Sequence, residues 1–218
     1  MSGFPGAVGL SHLRPYDCGG SPHLHTASTE GYVVVGGEGT LETLSAQGYG
    51  EHPLTPGTVL WFTPGTVHRV RGELEILVVM ENAGLPEAGD AVMTFPTRVL
   101  ASAEEYAKAA APPADEAAAA RRRDLAVEGY ESWRDRVTAE GPGALAELHE
   151  LAVALVAPRL GRWRELWRDR ALAQAELTGT RLDHLGKAST ALLAEAAVSS
   201  ASPTDRLGMC GHLRAYHS

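Results

Sequence analysis

The sequence predicts a β plus α protein, with a β-sandwich or β-barrel through about residue 98 and an all-α region after it. Two observations carry this, and a third marks the boundary. Up to Arg98 the chain is rich in Gly, Val, Thr and Pro, and short apolar runs such as YVVV, TVLWF and EILVVM are divided by turn-forming residues about every 8 to 12 positions. From Ala101 onward Ala, Leu, Arg and Glu dominate, and the apolar period becomes helical. Charge shifts at the same place: 4 Arg or Lys stand against 10 Asp or Glu through Arg98, and 15 against 17 beyond it. A chain of 218 residues is long enough to bury a core without disulfide staples, and Cys18 and Cys210 are far apart.

The first strands hold the chemistry. In HLHTASTEGYVVVGGEG, His23 and His25 are separated by one residue, so a strand of period two points both imidazoles to one face. The small polar residues TAST suit a turn. Glu30 then opens the strand EGYVVVGG and brings a carboxylate beside the imidazoles. A later stretch, GTVLWFTPGTVHRV, crosses a PG turn and reaches His68, which offers a fourth donor. With Glu30 inward, Tyr32 and Val34 face inward too. On the strand after His68, Leu74, Ile76, Val78 and Met80 face in while Glu73 and Glu75 face out. Parity is lost across the PG turn, so either Trp61 or Phe62 joins Leu60 in lining the interior. Leu77 and Val79 make the outer face apolar, and a cover is expected from the helical half or from a second copy in a homodimer.

In the second half, Ser102 followed three residues later by Glu105 is a capping box opening a short helix that Pro112 and Pro113 must end. A longer helix is expected from about Asp115 to Glu140, stopped by GPG at Gly141 to Gly143. Further helices are expected from about Ala144 to Ala157, from Arg159 to about Leu177 and from about Arg181 to Val198. Trp163, Leu166, Trp167 and Arg170 share a stripe, read as core packing. Arg121 to Arg123 reads as a solvated helix face, and the net charge of -8 argues against a nucleic-acid partner. HLRPY at His12 to Tyr16 recurs as HLRAY at His212 to Tyr216. The echo reads as coincidence, yet the alternation in GMCGHLRAYHS suggests a terminal strand returning to the sheet. The expected organisation is therefore residues 1–98 as the β domain, 99–205 as helices and 206–218 as that strand.

At His23, His25, Glu30 and Gly37 the chain resembles the first motif of the cupins, small β-barrels of the RmlC-like jelly-roll type, whose pattern is G(x)5HxH(x)3-4E(x)6G. Gly57, Gly65 and His68 match the second, G(x)5PxG(x)2H(x)3N. Asp17 replaces the leading glycine, Thr63 the proline and Gly72 the asparagine, and none of these removes a ligand. The resemblance covers roughly residues 10 to 97. It implies a cupin barrel holding one divalent metal on His23, His25, Glu30 and His68.

Three imidazoles and a carboxylate with no thiolate suit Fe(II), Mn(II), Ni(II), Co(II), Cu(II) or Zn(II). Because four ligands close a tetrahedral zinc but leave two positions open on an octahedral ion, a catalytic reading favours Fe(II), with Mn(II) or Ni(II) next and Zn(II) still possible. An Fe(II) dioxygenase acting on a small organic molecule is therefore expected, with Tyr32 as the nearest proton donor. A metal-dependent isomerase or lyase and a non-catalytic binding or sensor module are the alternatives. His52 is expected to be exposed, and His12, His149, His184, His212 and His217 have no recruiting spacing. The opening MSGFPGAVGL has neither a basic leader nor a long apolar run, so a cytoplasmic protein with no membrane partner is expected.

Overall fold

The structure is a computed structural model and describes residues 4–216, so His217 and the end of the expected terminal strand lie outside the described residues. Strands β1 (Gly9–Pro15), β2 (His23–His25), β3 (Glu30–Ser45), β4 (Gly48–Leu54), β5 (Val59–Phe62), β6 (Val67–Met80) and β7 (Ala91–Met93) precede the helices, and β8 (Pro203–Leu207) and β9 (Gly211–Tyr216) follow them. They form one antiparallel sheet in the order β4-β3-β6-β1-β9-β8, with β5 on β3 and with β2 joining β6 to β7. The sheet is jelly-roll-like but does not close on itself.

Two long strands organise it. β3 and β6 pair from Glu30 opposite Met80 to Leu44 opposite Val67, with a bulge between Val34 and Gly36. The bend after the bulge needs a glycine: Gly37 has φ +73°, and a Cβ there would lie 1.9 Å from the Glu73 carbonyl oxygen. Beyond the bulge β3 pairs β4 on its other edge; Glu30 begins β3 at one end of the ladder, and His68 lies near the other end, opposite Thr43. The pentapeptide echo acquires a spatial sense. β1 and β9 run antiparallel with Leu13 opposite Leu213, His12 opposite Arg214 and Arg14 opposite His212.

The inward residues inferred from parity on β3 and β6 are buried or half-buried, and the open choice on β5 resolves as Phe62: it is buried, whereas Trp61 is 71% exposed. Leu13, Tyr32, Val34, Phe62, Val70, Leu74, Ile76 and Val78 form the inner core.

The helices are α1 (Thr97–Leu100), α2 (Ala103–Ala109), α3 (Glu116–Glu140), α4 (Leu145–Val156), α5 (Leu160–Trp167) and α6 (Ala173–Gly186). Ser102 caps α2 by accepting from the Glu105 N–H at 3.3 Å, and Asp115 caps α3 by accepting from Ala118 at 2.7 Å. The expected break near residue 180 is absent. A wide turn at Arg168–Leu172 joins α5 to α6, and the Thr178 and Thr180 hydroxyls donate back to the Gln174 and Glu176 carbonyls, which keeps both polar groups satisfied inside the helix. The helix expected to run to Val198 instead stops at Gly186, and only one short turn, Ala191–Leu193, follows. The tryptophan stripe is also divided: Trp163 is buried and donates to the Ala88 carbonyl, whereas Trp167 is 43% exposed.

A second core lies between sheet and helices. Leu24, Leu44, Val67, Val92, Met93 and Phe95 meet Tyr130, Trp133, Val137, Leu148 and Trp163. The helical half thus covers the sheet on the β2 and β7 side. It leaves Val35, Val59 and Trp61 on the outer face exposed. Among the described residues no helix is long and apolar enough to cross a membrane.

Candidate metal centre

His23 and His25 project from β2 beside the end of β7, and His68 lies opposite His23 in the β2–β6 pairing. Glu30 starts β3. One donor atom from each of the four residues falls within 4.8 Å of the others, and all four side chains are buried. The structure therefore brings together every residue expected to bind metal.

Each imidazole is held by its far nitrogen. His23 Nδ1 meets the Ser21 carbonyl at 2.9 Å, His68 Nδ1 the Thr66 carbonyl at 3.2 Å, and His25 Nδ1 the Asp90 carboxylate at 3.1 Å. All three partners accept, so each Nδ1 carries a proton and each Nε2 points at the shared centre. Burial lowers the His25 pKa, but Asp90 and Glu30 outweigh it and raise it to about 9, so a metal would displace the Nε2 proton of that ring on binding. Glu30 Oε2 lies 3.1 Å from both His25 Nε2 and His68 Nε2, yet neither Glu30 Oε2 nor His68 Nε2 has a hydrogen bond of acceptable geometry. Buried donor atoms that face one another without partners fit a divalent cation, which satisfies them together. Burial and the two neighbouring imidazoles hold the His23 pKa well below its ordinary value. Burial opposes ionisation of Glu30, but His68 and His25 outweigh it and depress the carboxyl.

Asp90 escaped the sequence reading. It is fully buried in the loop before β7, and its carboxylate accepts from Thr26 N at 2.9 Å, Thr26 Oγ1 at 2.7 Å, Ala27 N at 2.7 Å and Ser28 N at 3.1 Å, besides meeting His25. It thereby fixes both the His25 ring and the turn between β2 and β3. No motif marks it, because the contact spans 65 positions. Burial alone would raise its pKa, but His25, Thr26 and Ser28 hold it at about 2 against 3.8 ordinarily. The folded value is the lower one, so this stabilisation is complete above the unfolded value and lost as pH falls through about 2. It is worth on the order of 2 kcal/mol. Asp90→Asn is expected to lower the stability of metal-free protein by about 2 kcal/mol in urea and to weaken metal binding by about tenfold or more in a titration.

Three of the four donors, His23, His25 and Glu30, open on a cavity of about 460 Å³, lined for the most part by apolar residues such as Leu13, Val78, Met80, Pro112 and Met209, while His68 lies behind them. Tyr32, expected to serve as proton donor, does not line it. Its ring is fully buried in the inner core against Phe62, and burial together with the Glu30 charge raises its pKa well above 10. The phenol stays protonated beside Glu30. Two more residues missed at first also line the cavity. Cys210, on the loop before β9, places Sγ 3.9 Å from His23 Nδ1. Arg122 comes from α3.

Residues 9–80 match the family described as "Cupin domain". This part of the chain is a cupin domain, extended by helices and by two terminal strands. Among solved structures, a protein from Planctomyces limnophilus shares 23% identity over 34% of this chain and 63% of its own, with a TM-score of 0.30. The Campylobacter jejuni TDP-quinovose 3,4-ketoisomerase WlaRB shares 12% over 33% and 60%, with a TM-score of 0.31. Streptomyces Pac13, a nucleoside dehydratase, shares 17% over 42% and 82%, with a TM-score of 0.32. The chain spans less than two thirds of the first two. No curated protein matches it.

Proposed function

We propose that the protein is a metal-dependent cupin enzyme, specifically a mononuclear Fe(II) oxygenase acting on a small organic molecule. One observation carries the reading: three imidazoles and one carboxylate, fixed and buried, converge at the side of a largely apolar cavity of about 460 Å³, with His23, His25 and Glu30 on its wall. A structural ion would not need a cavity of that size, which suits a small ligand.

His23, His25, Glu30 and His68 would hold the ion, and Mn(II), Ni(II) or Zn(II) satisfy the same donors. When bound, Fe(II) supplies a positive centre that polarises substrate oxygen, and redox chemistry with O2. The chain's own part is positional. Ser21, Thr66 and Asp90 hold the imidazoles in one tautomer, and Leu13, Val78 and Met80 exclude water from beside them. Tyr32 keeps a protonated hydroxyl near Glu30, buried without a hydrogen-bond partner and outside the cavity lining.

The expected result is O2 consumption by Fe(II)-reconstituted protein with at least one member of a panel of phenols, enediols and thiols. Turnover that persists without O2 and with Mn(II) or Zn(II) would assign an isomerase or lyase instead. Ligand binding with no turnover under either condition would assign a sensor or binding module.

A further inference from the structure

Arg122 lies on α3, within the buried stripe formed by Ala119, Ala126, Gly129, Tyr130, Trp133 and Val137. The basic run to which it belongs was expected to face solvent. Arg121 does so, but Arg122 is only 8% exposed and forms part of the cavity wall that also contains His23, His25 and Glu30. A buried guanidinium ordinarily has an anionic partner, because losing hydration without one is costly. Among the described residues Arg122 has no carboxylate within ion-pair distance. Its Nη2 donates to the Gly208 carbonyl at 2.7 Å, its Nη1 reaches the Ala111 carbonyl only at 3.5 Å, and its buried Nε has no partner.

We propose that Arg122 recognises a carboxylate on the substrate, so that the cavity takes a small monoanionic acid with an apolar body. The inference rests on reading this cavity as the substrate site and deepens it by naming the substrate class. Several features favour a carboxylate over a phosphate ester. The planar guanidinium matches a carboxylate geometrically. Glu30 lines the same cavity and opposes a second negative charge, and the remaining walls are mainly apolar. The other arginine of the cavity, Arg206, lies 3.8 Å from Glu87 and is already balanced. Arg122 also links α3 to the loop before β9, but that structural role alone has no reason to distinguish charged from neutral ligands.

The test measures binding of benzoate, benzamide and phenyl phosphate by calorimetry to metal-loaded and to chelator-treated full-length protein, with metal content determined separately. Wild type is expected to bind benzoate about tenfold or more tightly than benzamide in both preparations. Arg122→Gln is expected to lose that preference while keeping its metal content and its melting temperature. The proposal is overturned if wild type shows no preference, if Arg122→Gln retains it, or if phenyl phosphate binds more tightly than benzoate. Should Arg122→Gln fail to fold, Arg122→Lys takes its place. It keeps the charge without the planar fork and is expected to weaken benzoate by about tenfold while leaving benzamide unchanged; an equal effect on both ligands overturns the proposal. A protein that binds no metal yet prefers benzoate refutes the metal reading and leaves the Arg122 assignment standing.

Discussion

Replacing His68 with alanine is expected to reduce bound divalent metal from about one equivalent to near zero after dialysis, with affinity falling at least about a hundredfold. The magnitude follows from the geometry. His68 is fully buried, its Nε2 has no hydrogen-bond partner, and it lies 3.1 Å from Glu30 Oε2. No other imidazole or thiol of the described donor cluster stands ready to replace it. Losing one of four direct ligands should cost more than the tenfold to hundredfold typical of residues that only orient a ligand. Elemental analysis after reconstitution and dialysis measures it. His52→Ala is the control, because His52 is exposed and is not one of the four clustered donors. Unchanged metal content in His68→Ala would remove the basis for the proposed function.

Gly129→Ala is expected to destabilise the fold by about 3 kcal/mol or more, as a fall in the urea midpoint. Here α3 meets the chain just after β7 almost backbone to backbone. A Cβ on Gly129 would lie 2.0 Å from the Thr94 carbonyl oxygen and 2.5 Å from the Phe95 carbonyl carbon, and neither atom has a flexible side chain that can yield. Relief requires α3 to lift from the sheet. That would loosen Tyr130 and Trp133 in the shared core and strain the hydrogen bond from Thr94 Oγ1 to the Ala126 carbonyl. The same displacement would carry Arg122 away from the cavity, so the substitution is expected to weaken benzoate binding as well. Gly161→Ala on α5 provides the contrast. Nothing lies within 4 Å of the added carbon, so the change is expected to be neutral or stabilising by up to about 1 kcal/mol.

The residues of the metal centre were legible because their chemistry is local. Period two along β2 places His23 and His25 on one face, and a short polar turn returns the chain at Glu30. The start of α3 was equally legible, since Asp115 satisfies the first turn's amides from its own neighbourhood. Arg122 was readable in part: it falls on the i, i+3 and i+4 stripe with Ala119 and Ala126, but its charge argued for solvent more strongly than its spacing argued for burial. The expected break between Leu177 and Arg181, which α6 runs through, had a different cause. Gly179 between two threonines resembles a breaker, until the hydroxyls are seen bonding back within the helix.

By itself the sequence determined the β plus α division, the strand faces and the four donors, because alternation and helical period are properties of neighbouring residues. Only the tertiary structure decided that Asp90 holds His25, that β9 lies on β1 and brings Cys210 to His23, and that α3 closes the cavity with an arginine. Those contacts join residues 65 to 206 positions apart. Periodicity tells which face a side chain takes, but what that face meets is set by packing the two halves around a common core.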